Sequence, residues 1–256
     1  MSSPRAVRAP LGMLLLTALS LGLPGCGADS GHPQLVVSAA ASLSEALPAF
    51  AKRAGFGDAR FSFAGSDELA AQIRQGATPD VYAAASTTLP DELHAEGLLE
   101  RPVTFARNRL VLAVPSEVQS VRSLADLTEP GVDIAVGDDD VPVGVYTREV
   151  LGRLPAAESR AILANVRSTE PDVLGITAKL SQGAVDAGFV YRSDVIASHG
   201  RLQAIELPAS LHPEVAYGAG VVEGSKHRGA AARFVDALRS PQGQEALRAA
   251  GFLPAP

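Results

Sequence analysis

The chain has 256 residues, 46% hydrophobic and 20% charged, with 24 glycines and 18 prolines. That composition excludes collagen, coiled coil and wholesale disorder and leaves one large domain or two lobes. A formal charge of −6, no Lys/Arg run and 5% aromatic residues exclude a nucleic-acid binder, while a single cysteine, Cys26, excludes an internal disulfide, a thiolate zinc site and an iron–sulfur cluster.

The chain begins with an address. Arg5 and Arg8 precede an apolar run over 11–23, LGMLLLTALSLGL, the pattern of an export signal. The run is shorter than the roughly 20 residues of a membrane span and ends in Pro24 and Gly25. The tetrapeptide LPGC over 23–26 resembles a bacterial lipoprotein box, which implies a signal peptide over 1–25 and a lipid on Cys26; an unmodified cysteine beside an ordinary cleavage site is the plainer alternative. Residues 26–33 then form a tether. The expected product is a soluble body held by its lipid anchor at a membrane surface, facing the periplasm or the cell exterior. Without Arg5 and Arg8 it carries 20 basic and 28 acidic residues, a charge of −8.

From residue 34 onward, short β-branched runs alternate with helical patterns, the signature of βαβ units. Strand 34–39 is followed by a helix opened by Ser42, with Glu45 at capping-box spacing and Pro48 past the first turn, where proline kinks a helix. Strand 60–64, a helix within 65–76 stopped by Gly76, strand 80–84, a helix over 88–97 and a nearly continuous apolar strand over 108–114 come next. A second series follows: helix 123–127, strand 133–136, the turn GDDDVPVG, helices 145–154 and 157–164, a helix after Asp172, strand 186–191, strand 216–222 and a final helical region. The pattern predicts two lobes, one inserted in the other, with 34–112 plus 216–256 forming the first and 113–215 the second.

Enzyme signatures are missing from the sequence: no G-x-S-x-G, S-x-x-K, H-E-x-x-H or P-loop occurs, and the G-x-G at Gly218 and Gly220 has Glu223 at the third glycine position. The five histidines are isolated, and Pro142 spoils an EF-hand reading of Asp138, Asp139 and Asp140. What stands out is a set of turns where a strand ends and a helix opens with Ser, Gly or Pro. Such turns gather unpaired N–H groups and hydroxyls at the carboxyl ends of the strands, a place suited to an anion.

The series SAAASL (38–43), FAGSDELAAQI (63–73), GDDDVPVGVY (137–146), EPDV (170–173) and FVYRSD (189–194) resembles the periplasmic molybdate-binding proteins of ABC importers and spans nearly the whole body. The resemblance implies an α/β, two-lobed, type II periplasmic-binding-protein fold of mixed, mostly parallel sheets flanked by helices. It implies a non-catalytic monomer without cofactor that holds molybdate, or tungstate, as the oxyanion with no direct metal ligand. The partners implied are an ABC permease and its ATPase. Carried over motif by motif, the contacts are the hydroxyls and N–H groups of Ser42 and Ser66, the backbone N–H groups of Val143 and Val173, and the Tyr191 phenol.

Each residue also has an ordinary reading: the serines as helix caps, the valines as core, Tyr191 as a half-buried strand residue. Val143 replaces the family's usual alanine, Asp67 and Glu68 must face outward to spare a dianion, and Arg192 is expected to pair with Asp194 at the surface. An acidic body does not attract a dianion from afar, so binding must rest on local, dry, preorganised donors. The alternatives are another tetrahedral oxyanion such as sulfate, and a hydrolase using Ser42 or Ser66 as nucleophile, for which no base lies within the five motifs.

Overall fold

The computed structural model describes residues 34–117 and 120–256; the expected signal peptide over 1–25, Cys26 and the tether over 26–33 lie outside the described residues. The strand β1 (Val36–Ala40) runs into a 3-10 turn, Ala41–Leu43, before α1 (Ala46–Arg53); then come β2 (Arg60–Ala64), α2 (Ser66–Arg74), β3 (Val81–Ala84), α3 (Thr88–Ala95), β4 (Val103–Asn108) and β5 (Leu110–Pro115). Next are β6 (Ile134–Gly137), α4 (Pro142–Gly152), α5 (Ala156–Ala164), β7 (Val166–Glu170), α6 (Val173–Ser181), β8 (Ala187–Tyr191), α7 (Arg192–Ala197) and β9 (Leu202–Ile205). The chain closes with β10 (Val215–Val221), α8 (Arg228–Arg239), α9 (Pro241–Ala249) and β11 (Leu253–Pro254).

These strands make two sheets, ordered β11-β4-β10-β3-β1-β2 and β7-β6-β8-β5-β9. In the first, β2, β1 and β3 are parallel and β10 runs against β3; in the second, β7, β6 and β8 are parallel and β5 runs against β8. The result is an α/β fold of two mixed sheets flanked by helices. The chain changes sheet twice, with only Arg109 between β4 and β5 and with residues 206–214 between β9 and β10. The division expected at 112/113 falls inside β5.

Sequence and position in the sheet agree. The apolar runs of β3, β5 and β8 are buried almost throughout because helices cover both faces. The edge strand β7, VRSTE, alternates between half-buried and exposed residues. Around Phe234 of α8, the rings of Phe50, Phe56 and Phe61 lie at 5.3, 5.2 and 6.4 Å between centroids, fastening α1 and β2 to the C-terminal region.

Two expectations at the first helix are corrected. Ser42 does not cap α1: it sits in the 3-10 turn, and Glu45, the residue before α1, makes no side-chain cap bond. The later start puts Pro48 within the first turn of α1, where its missing N–H has no helical carbonyl to reach, so proline is accommodated there.

Candidate functional site

Where the carboxyl ends of β1, β2, β6, β7 and β8 converge, the two sheets enclose a cavity of about 20 Å³. Ser42, Ser66, Val143, Val173 and Tyr191 all border it, together with residues such as Gly65, Ala85, Pro142 and Asp172. The cavity is small, on the scale of one compact group. No lysine, arginine or histidine among the described residues lines it.

The wall from the first sheet is built on hydroxyls. Ser66 opens α2 immediately after Gly65, and its Oγ accepts a hydrogen bond from the backbone N–H of Ala85 at 3.0 Å. The Tyr82 phenol fixes the same residue by donating to its carbonyl at 2.7 Å. A backbone N–H can only donate, so the Ser66 proton remains available to another acceptor. Ser42 is buried and its Oγ lies 2.9 Å from the Tyr217 phenol oxygen, across 175 residues of sequence. Gly65 is required by close approach: a Cβ there would lie 2.6 Å from the carbonyl oxygen of Pro171 in the opposite wall.

The wall from the second sheet is built on helix starts. Pro142 occupies the first position of α4 and Val143 the second; Val173 is the first residue of α6. Their N–H groups fall in first turns, where no helical carbonyl is in reach and the dipole presents its positive end. Both valine side chains are buried, so they pack in the core while the residues border the cavity. Gly144 lets α4 start this tightly, since a Cβ there would sit 1.8 Å from the carbonyl oxygen of Asp138. Tyr191 ends β8 fully buried, and its phenol oxygen has no hydrogen-bond partner among the described residues. Leaving such a group unsatisfied costs about 1–3 kcal/mol. Burial, then the neighbouring Tyr217, Tyr146 and Asp194, push its pKa well above the ordinary value, so the phenol keeps its proton.

Aromatic rings tie the walls together. Tyr146, Tyr191, Tyr217 and Phe252 stand edge to face in a row, with centroids 6.4, 5.9 and 5.3 Å apart. Tyr146 of α4 also donates to the carbonyl of Ala85 at 3.3 Å, joining the second sheet's helix to the first sheet's wall.

Most acidic groups near the cavity have hydrogen-bond partners; the exception is Asp67, expected to face outward, whose Oδ1 is buried and has no partner among the described residues. Asp172 borders it, with Oδ1 accepting from the Gly175 N–H at 3.0 Å as the cap of α6. Glu68 is exposed and accepts from Gln72, and neither it nor Asp67 lines the cavity. Asp67 is half-buried; burial first, with Glu68 and Asp140 adding, raises its pKa. The expected surface pair of Arg192 with Asp194 does not form. Asp194 is buried and accepts from the Tyr191 N–H at 2.8 Å, because it sits three residues into the turn that opens α7; Arg192 pairs with Glu206 instead. Burial pushes the Asp194 carboxyl up to about 8, so it is largely neutral at pH 7 and adds little negative charge beside Tyr191.

Three residues of the site region were not singled out by sequence. Asp172 carried the ordinary signal of a helix cap. Tyr217 and Asn108, which support Ser42, lie far from it in sequence, and only the fold assembles them.

Two α/β sheets meeting at a small cavity ringed by hydroxyl and amide donors are the architecture of a solute-binding protein. The chain belongs to the bacterial extracellular solute-binding proteins, whose family model matches residues 35–253. It is 32% identical over 255 residues to the molybdate-binding protein ModA of Mycobacterium bovis, covering 93% of this chain and 95% of that one. Among solved structures, the periplasmic molybdate-binding protein of Azotobacter vinelandii superposes with a TM-score of 0.77 at 21% identity, covering 87% of this chain and 100% of the other. The sulfate-binding protein SubI of Mycobacterium tuberculosis does so with 0.73 at 19%, covering 87% of each chain; these two likenesses are of fold.

Proposed function

We propose that this protein captures molybdate, and tungstate with it, in the cavity between the two sheets and delivers it to an ABC permease and its ATPase. It does so as a monomeric, non-catalytic lipoprotein, exported by the signal over 1–25 and anchored through Cys26. The two sheets act as two lobes, the second inserted in the first. The observation that carries the reading is the gathering of Ser42, Ser66, Val143, Val173 and Tyr191 around one cavity that, among the described residues, has no cationic side chain and no acceptor for the Tyr191 hydroxyl.

Neutral donors suffice for a dianion when they are dry and already aimed. At roughly 1.5–3 kcal/mol for each hydrogen bond to a charged partner, five contacts supply about 8–15 kcal/mol gross. After ordering costs, that supports binding in the micromolar to nanomolar range, about −8 to −12 kcal/mol. A serine nucleophile is disfavoured on geometry: Ser42 is bonded to a phenol and Ser66 to an amide N–H, and no histidine borders the cavity among the described residues.

The second reading, sulfate, is favoured by the fold shared with a sulfate-binding protein, since the donor set fixes charge and shape more firmly than radius. The test is thermal stabilisation of the mature chain by molybdate, tungstate, sulfate and phosphate at equal concentration, because a ligand bound only by the folded state raises the melting temperature. Large shifts for the first two and little for the others are expected, with the effect lost in the Ser42→Ala, Ser66→Ala double variant. Equal shifts for sulfate overturn the assignment.

A further inference from the structure

Tyr217 and Asn108 do not border the cavity, yet together they determine which way one of its hydroxyls points. The backbone N–H of Arg109, the residue between the two sheets, donates to Asn108 Oδ1 at 2.8 Å. That bond identifies the oxygen end of the amide, so Asn108 Nδ2 is the end that faces Ser193 Oγ at 2.9 Å and the Tyr217 phenol oxygen at 3.4 Å. An amide nitrogen donates, so the Tyr217 oxygen accepts from it. The phenol proton then has Ser42 Oγ, 2.9 Å away, as its acceptor. With its oxygen already accepting from Tyr217, Ser42 turns its own proton toward the cavity it lines.

The parts of this relay are held still. Tyr217 is fully buried, with Phe105, Tyr191 and Phe252 edge-on at 6.1, 5.9 and 5.3 Å. Burial first, with Asp194 adding once it ionises, raises the phenol's pKa well above the ordinary value, so it stays protonated and hence a donor throughout the physiological range. Ser66 is oriented by the same logic in one step, by the Ala85 N–H. For Ser42 the fixed backbone donor lies at the crossing between sheets and acts through two side chains.

We propose that Tyr217 and Asn108 are positioning residues that set Ser42 as a hydrogen-bond donor to the bound oxyanion. The assignment rests on the reading of Ser42 as an oxyanion ligand.

The test is a double-mutant cycle on the full chain, read by calorimetric titration with sodium molybdate. Tyr217→Phe keeps the ring and removes the phenol hydroxyl; it should weaken binding about 5- to 30-fold, less than the loss of a whole hydrogen bond to a charged partner, because Ser42 itself remains. In a Ser42→Ala background the same change should alter affinity by less than about 2-fold, because residues acting through one another are not additive. Asn108→Asp is the second variant. It keeps an oxygen for the Arg109 N–H but replaces the amide donor with an acceptor, so the phenol proton turns away from Ser42. It should weaken binding at least as much as Tyr217→Phe, and the part of that loss beyond the repulsion between the new carboxylate and the dianion should vanish when Ser42 is alanine. Equal weakening in both backgrounds, or none in either, overturns the relay. Unchanged affinity in Ser42→Ala alone sinks the oxyanion reading of Ser42 and the relay with it. Weakening by Ser42→Ala beside a silent Tyr217→Phe sinks the relay only.

Discussion

The two walls of the cavity supply donors by different means. The first sheet offers Ser42 and Ser66, side-chain hydroxyls that could donate or accept and are oriented by neighbours, the Ala85 N–H in one case and Tyr217 in the other. The second offers the first-turn amides of α4 and α6, which can only donate, with the Tyr191 phenol at the end of β8. A hydroxyl wall is specified by residue identity and a helix-start wall by backbone path. Substitutions should therefore divide into those that remove a donor and those that leave the donor but disturb the path.

The largest effect belongs to the path. Gly144→Ala would place a Cβ 1.8 Å from the Asp138 carbonyl, so the start of α4 must shift. Denaturant unfolding should show a loss of about 3 kcal/mol or more, and molybdate should no longer raise the melting temperature. Next comes pH, through Asp194. Its folded pKa of about 8 lies above the ordinary carboxyl value of 3.8, so the native state holds a proton that the unfolded chain releases. Stability should then fall as pH rises from about 4 to 8, by at most about 1.4 kcal/mol per unit, and level off above. Asp194→Asn, which keeps an acceptor for the Tyr191 N–H, should flatten that slope and remove a decline in molybdate affinity above pH 8.

Smaller and sharper is Tyr191→Phe. Removing a hydroxyl without a protein partner should leave the ligand-free melting temperature unchanged or slightly raised, while molybdate affinity drops about 10- to 100-fold in titration calorimetry. The smallest effect on binding is expected from Val143→Ala and Val173→Ala. Each keeps its amide, so affinity should stay within about 3-fold, while truncating a buried side chain lowers stability by about 1–3 kcal/mol. A large affinity loss in either valine variant would erase the contrast between the walls.

How much of this could be read from sequence follows the same division. The central strands were legible because a run such as LVLAV is apolar whichever face it shows, and helix starts because Pro142 and Asp172 are local signals. The strands β4, β7, β9 and β11 were not. VRSTE is a strand because β6 lies beside it, and its own residues have little preference that would say so. The helix α7 was hidden as well, since it begins directly after Tyr191 with no loop to announce it. At the cavity, the five motif residues were visible through their resemblance to a family. The support behind them was not, because Asn108 and Tyr217 meet across 109 residues and nothing local to either predicts the meeting.

The passage from β4 to β5 through Arg109 alone leaves the polypeptide no slack at that crossing, whereas the return over 206–214 is nine residues long and is pinned by a 3-10 turn, Ala209–Leu211, and by buried Leu207 and Leu211. A glycine inserted beside Arg109 would give that short crossing slack, and molybdate affinity should fall even though every donor around the cavity stayed in place.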